Sequence, residues 1–261
     1  MTRFQTLQIA CDKRGVAYVA LNAPDKRNAL SARMIDDLTG LAADLGADPG
    51  VQVVVLSGLG KVFCAGGDLN WMHAQIQADR PTRMAEATKL AQMLRALNEM
   101  PKPLIGRLHG GAFGGGVGLA AICDCAIASD TTRFGLTETR LGLIPATISP
   151  YVIARMGEGA ARQVFMSARI FDAFDAVRLG LIARAVPDSA LDSTVEAEVL
   201  PYLSVAPGAV GRAKALARSL GPVIDDAVIA KTIRALADTW ETDEARLGIQ
   251  AFLDKTPPTD S

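Results

Sequence analysis

The stretch GRLHGGAFGGGVGLAAICDCAIAS, residues 106–129, places seven glycines between positions 106 and 118 and then runs directly into an apolar segment. A dinucleotide fingerprint is the first reading to test, because Gly116, Gly118 and Ala121 fit GxGxxA and Glu138 lies twenty residues beyond Gly118. The surroundings exclude it. That fingerprint needs a full crossover helix before the next strand, yet only about six residues separate Gly118 from the strand-like CDCAIAS, and the acid sits in FGLTETRLG rather than at a strand end. No Gly-Lys-Ser/Thr closes the cluster, so a phosphate loop fails as well.

A second glycine loop gives the first its meaning. FCAGGDL, residues 63–69, also follows a buried-strand run, VQVVVLSG at 51–58. Two glycine turns at strand ends, the second opening a short helix, are able to aim two backbone N–H donors at one oxygen. Glycine suits such an oxyanion hole because a ligand carbonyl must approach the backbone closely. Tight turns alone would explain one such loop.

The rest of the chain sets the frame. LQIA and GVAYVALN read as a hairpin joined by CDKRG, and Ser31 reads as the N-cap of a helix whose Met34, Ile35, Leu38, Leu41, Ala42 and Leu45 recur at helical spacing, with Gly46 and Pro49 closing it. PTRMAEATKLAQMLRALNEMPKP predicts a long amphipathic helix ended by prolines, and LIGRLHG a strand leading into the glycines. Alternating strands and helices predict an α/β body with parallel crossovers over residues 1–190. From 191 to 261 the pattern is helical, with apolar stripes that must be buried on the body or on another subunit.

Composition narrows the function classes. The 261 residues are 49% hydrophobic and 21% charged, with 27 Lys and Arg against 28 Asp and Glu, so no field favours nucleic acid or an anionic membrane. No apolar run reaches membrane-spanning length, and Asp12, Lys13 and Arg14 interrupt any signal-type block, which predicts a cytoplasmic protein. Cys11, Cys64, Cys123 and Cys125 lack zinc spacing and read as reduced, mostly buried thiols; His73 and His109 fit no metal or nucleophile motif.

GKVFCAGGDLNWM, GGAFGGGVGLAAICDCAIAS, FGLTETRLGLIPA and GIQAFLDK resemble, in order and spacing, the enoyl-CoA hydratase/isomerase (crotonase) superfamily, from RNAL to FLDK. The resemblance implies a spiral of ββα units followed by a helical trimerisation region, assembled as a homotrimer or dimer of trimers, with an acyl-CoA as substrate and no separate cofactor or metal. It implies that Gly67 and Gly115 supply the N–H donors for the thioester oxygen. Ala65, Gly66, Asp68 and Leu69 would line the path of the adenine and pantetheine, Lys26 and Arg27 would lie near the CoA phosphates, and Phe252 and Lys255 would reach a neighbouring subunit's CoA. Trp71 and Met72 would line the acyl pocket or its lid, and Asp124 would be structural.

One departure stands out. Two-carboxylate hydratases of the superfamily carry a glutamate directly after the glycine cluster and another in FGxxE; here the first is Gly118, and Glu138 remains as acid/base. DLNWM and GLIPATISPYV look most like hydratases of 3-methylglutaconyl-CoA and related branched, carboxylated enoyl-CoAs in leucine or isoprenoid catabolism. Gly118 is then expected to leave room for a β-substituent or a substrate carboxylate, with Arg140 a candidate partner for the latter. A single glutamate also suits a Δ3,Δ2-enoyl-CoA isomerase. A catalytically silent acyl-CoA-binding paralogue is the reading from another class. RNA binding, known among relatives, finds little support in Arg83, Lys89 and Arg95 interleaved with two glutamates.

Overall fold

The computed structural model describes residues 4–253, so Lys255 lies outside the described residues. A hairpin of β1 (Leu7–Cys11) and β2 (Val16–Leu21) opens the chain, as its alternation and turn predict. Then β3 (Val53–Gly58), β4 (Leu104–Leu108), β6 (Cys125–Ser129) and β9 (Arg184–Val186) extend the sheet in parallel, giving six strands in the order β1-β2-β3-β4-β6-β9. A smaller sheet joins β5 (Gly111–Phe113), β7 (Arg133–Gly135) and β8 (Ile170–Asp172). The chain repeats one move: a strand in the large sheet, a short pairing segment at the small one, then a helix. It does so through β3, the bridge of Cys64 to Ala112, and helices α2 (Leu69–Gln77) and α3 (Arg80–Glu99). It does so again through β4, β5 and α4 (Gly115–Ile122), and through β6, β7, α5 (Ser149–Met156) and α6 (Glu158–Phe165).

Alternation along the strands decides what covers each face. Val19, Leu21, Val54, Leu56, Leu104 and Ala128 share one core with α1 (Ala32–Ala47), α3 and α4. Val16, Val53, Val55, Ile105 and Ile127 point to the other face and meet Leu191, Val195 and Val199 of α8 (Leu191–Val199). The Ser31 hydroxyl accepts the Met34 N–H, so α1 starts where its cap signal lies; it runs through Gly46 and ends at Ala47. Short α7 (Ala173–Arg178) follows β8.

The later helices differ in what they bury. The apolar stripe of α10 (Asp226–Trp240) packs Ile229 and Ile233 on Ala87 and Ala91 of α3. Ala245 and Ile249 of α11 (Asp243–Leu253) join Leu143 and Trp240. By contrast α9 (Pro207–Ser219) buries no side chain, and Leu216 and Leu220 stand 62% and 81% exposed.

Two polar devices set the loops. Asn28 is fully buried; its Oδ1 accepts the Ala23 N–H at 3.0 Å, and its Nδ2 donates to Leu59 O and Val62 O at 2.8 and 2.9 Å. It ties the turn before α1 to the loop after β3, and removing its amide would strand three backbone groups. The Arg155 guanidinium donates to Ala121 O, Cys123 O and Asp124 O, satisfying the carbonyls at the end of α4. Asp124 accepts the Leu104 N–H and the Lys214 ammonium, each at 2.8 Å, which makes it a strut between β4 and α9.

Candidate active site

Three segments come together edge to edge. Cys64 N–H donates to Gly111 O and Phe113 N–H donates to Cys64 O, which sets the 63–68 loop beside β5. Gly114 N–H donates to Gly135 O at 2.9 Å, which sets the start of α4 beside the end of β7 and therefore beside Glu138. The 63–68 loop is also paired to Leu30: Leu30 N–H donates to Gly66 O and Asp68 N–H to Leu30 O. That ladder uses the groups on either side of Gly67 and leaves the Gly67 N–H unused.

Bare backbone is required where the loops meet. Gly66 sits at φ +96°, and a Cβ there would lie 2.9 Å from Phe113 O. Gly114 sits at φ +48°, and a Cβ there would lie 3.0 Å from Glu138 Oε1. The residues meant to face a ligand are the open ones: Gly67 is exposed and Gly115 half-buried, while Gly66 and Gly116 are buried. Gly115 is the first residue of α4, where an N–H has no intrahelical acceptor. Two donors with no acceptor among the described residues thus border one cleft of ≈ 1020 Å³.

Glu138 opens a 3-10 turn, Glu138–Leu141, on the same cleft. The residue is half-buried overall, but its Oε2 is sealed from solvent and has no hydrogen-bond partner among the described residues. Burial pushes its carboxyl up from 4.5 to about 7, only partly offset by its own backbone N–H. Such a group exchanges protons readily near neutral pH.

Most of the other expected residues gather here. Lys26, Arg27, Ala65, Gly66, Asp68, Leu69, Trp71, Met72 and Arg140 line the cleft. Asp68 has a local task as well, capping α2 through the Asn70 and Trp71 N–H groups, with Lys26 Nζ 3.7 Å away. Trp71 and Met72 stand next to Gly67: a Cβ there would touch Met72 Cγ at 3.8 Å and Trp71 Cε3 at 4.0 Å. Trp71 Nε1 donates to Glu86. The Arg140 side chain is exposed and has no ion-pair partner among the described residues.

Phe252 lines the cleft of its own chain. It is brought there by the docking of α11 on the Glu138 turn, where a Cβ on Gly142 would lie 2.5 Å from Ala245 N and one on Gly248 2.7 Å from Leu141 C. One expectation is corrected. Gly118 is buried and does not line the cleft, because the Ile148 side chain fills the space in front of it. Three site residues had no signal strong enough to find in the sequence: Asn28, Ile148 and Phe113, whose carbonyl abuts Gly66. Only Asn28 offered a hint, since asparagine tolerates the φ of 53° it adopts.

The cations of α3 are engaged internally. Arg83 donates to Gln75 O and Ile76 O and lies over Trp240, Lys89 pairs with Glu86, and Arg95 pairs with Glu99 and Asp226. The thiols of Cys64 and Cys123 are pushed up to about 12 by burial. No helix among the described residues is long and apolar enough to cross a membrane.

This arrangement is matched by known proteins. The family model for enoyl-CoA hydratase/isomerase matches residues 12–259. The chain belongs to the enoyl-CoA hydratase/isomerase family. A crystal structure of an enoyl-CoA hydratase from Shewanella pealeana is 36% identical, with a TM-score of 0.81 over 99% of this chain and 97% of that one. An enoyl-CoA hydratase from Mycobacterium smegmatis is 32% identical, with a TM-score of 0.79 over 97% and 98% of the two chains. Enoyl-CoA hydratase ACTT6 of Alternaria alternata is 34% identical over 205 residues, 78% of this chain and 67% of its own. The α/β body with its helical C-terminal region is therefore the crotonase fold that the motifs resemble, and the chain is an enzyme of this family.

The buried carboxyl has a measurable signature. The folded chain holds the Glu138 proton up to about pH 7, whereas the unfolded chain releases it near 4.5. Below 4.5 both states are protonated and the full stability is present; between the two values stability falls as pH rises, by on the order of 3 kcal/mol in all. Glu138→Gln removes this dependence, so the variant should gain on the wild type in urea denaturation between pH 5 and pH 8. Parallel curves for the two proteins would show that the carboxyl is not buried as described.

Proposed function

We propose that this enzyme adds water across the double bond of a β-branched, distally carboxylated enoyl-CoA of the 3-methylglutaconyl type, with Glu138 as its sole acid/base. The observation that carries the reading is the Glu138 carboxyl, buried and titrating near neutral pH, set against Gly114 beside two backbone donors that have no acceptor among the described residues. The Gly67 and Gly115 N–H groups would hold the thioester oxygen and stabilise the enolate charge as it develops. The Glu138 carboxylate would take a proton from water as the C–O bond forms and return it to the α-carbon. An alkyl group at the β-carbon stabilises positive charge there during C–O bond formation, which lowers the demand for a second base. Lys26 and Arg27 at the cleft suit the CoA phosphates, and Arg140, without an ion-pair partner among the described residues, suits a distal carboxylate.

Glu138 as the one acid/base also favours a second reading, a Δ3,Δ2-enoyl-CoA isomerase, since one group suffices to move one proton from the α- to the γ-carbon. We further propose that the molecule works as a trimer or hexamer, supported by the uncovered Leu216 of α9 and Leu220 just beyond it and by Phe174 and Met166, 63% and 66% exposed.

Ultraviolet absorbance of the conjugated thioester separates the readings. Across crotonyl-, 3-methylcrotonyl-, 3-methylglutaconyl- and 3-enoyl-CoA, 3-methylglutaconyl-CoA should lose its conjugation fastest; gain of conjugation from the 3-enoyl ester without hydration would establish the isomerase instead. Glu138→Gln should lower the rate by roughly 10²–10⁴ while acyl-CoA affinity changes little. Light scattering should give the mass of three or six chains, and a monomer mass would contradict the assembly.

A further inference from the structure

Position 118 is closed by hydrocarbon. A Cβ on Gly118 would lie 2.5 Å from Ile148 Cγ2 and 3.0 Å from Ile148 Cβ, with Leu94 Cδ2 at 3.7 Å. Ile148 is unable to step aside cheaply. Its carbonyl accepts the first N–H bonds of α5, from Tyr151 at 3.2 Å and Val152 at 3.1 Å, and the Ser149 hydroxyl donates to Ala146 O at 2.6 Å. Its branched Cβ restricts χ1 as well, and the side chain is 2% exposed. The close approach at Cβ means that even alanine at 118 requires the 144–149 backbone to move. Glycine at 118 and isoleucine at 148 are therefore two halves of one packing solution.

Ile148 also faces the cleft that Glu138 faces. Where a side chain from α4 at position 118 would otherwise stand, the surface is hydrocarbon and offers water no hydrogen bond. We propose that Ile148 is a specificity-determining residue: it bars a second carboxylate from α4 and receives the alkyl branch on the β-carbon of the substrate. This rests on the reading of Glu138 as the acid/base. In the hydration step, a water oxygen bonds to the β-carbon while its proton passes to the Glu138 carboxylate. The electron pair of the double bond moves toward the thioester oxygen between Gly67 and Gly115; the proton on Glu138 then passes to the α-carbon, and water has been added with the carboxylate restored. The branch, packed on Ile148, is both what the wall recognises and what makes the step feasible with one carboxyl.

The test compares 3-methylglutaconyl-CoA with glutaconyl-CoA, which differ only by the β-methyl. In Ile148→Ala the ratio of kcat/KM for the methylated over the unmethylated ester should fall roughly ten-fold or more, the scale on which an apolar pocket reads one methyl group. Gly118→Glu alone should lose stability and activity on both esters; Gly118→Glu combined with Ile148→Gly should regain the fold and hydrate glutaconyl-CoA faster than Ile148→Gly does. An unchanged ratio in Ile148→Ala, or a Gly118→Glu protein that melts and turns over like the wild type, would overturn the proposal. Should the double variant fail to fold, the ratio in Ile148→Ala decides alone. Glu138→Gln, assayed alongside, keeps the two readings apart: activity surviving there refutes the acid/base role, whereas activity lost there with an unchanged ratio in Ile148→Ala refutes only the role of Ile148.

Discussion

The contact between two glycine loops, one after β3 and one after β5, is the constraint on which the site depends. Backbone lies against backbone there: Gly66 meets Phe113 O where a Cβ would come within 2.9 Å, and the Cys64 bridge to Ala112 holds the approach. Because no side chain separates the loops, Gly67 and Gly115 open onto one cleft, and neither N–H has an acceptor among the described residues. The same edge carries Glu138 into place through the bond from Gly114 N–H to Gly135 O. Donors and acid are thus positioned by one short ladder of main-chain hydrogen bonds, which fixes their geometry more tightly than flexible side chains would.

The surrounding structure keeps that ladder from relaxing. The large sheet buries apolar side chains on both faces, against α1, α3 and α4 on one and α8 on the other. Asn28 ties the turn before α1 to the loop leading to the first glycines, and Arg155 fixes the far end of α4. Helix α11 presses on the Glu138 turn through Gly142 and Gly248 and brings Phe252 to the cleft. The C-terminal helices therefore complete the site as well as extending the fold, while α9 keeps an apolar face uncovered.

Local signals in the sequence reached far. The hairpin, the Ser31 cap, both glycine loops and Glu138 are each legible because their meaning lies within a few residues: alternation, a cap at its spacing, bare backbone after a buried strand. What escaped depends on contacts between distant segments. No local pattern says that Ile148 fills the space before Gly118, so a missing glutamate reads as a vacancy when the structure has a plug. Nor does periodicity say that α8 finds the underside of the sheet while α9 leaves Leu216 exposed, or that α11 brings Phe252 to the cleft.

The proposed mechanism requires the two loops together to polarise one thioester carbonyl. Infrared difference spectroscopy with an enoyl-CoA carrying ¹³C at the thioester carbon, bound to the Glu138→Gln variant so that it is not consumed, reads this directly. The carbonyl stretch should be lowered from its value in solution, and largely restored to that value when Gly66→Ala is added and the loops are forced apart. A stretch that stays at its solution value in the Glu138→Gln protein, or stays lowered after Gly66→Ala, would contradict it.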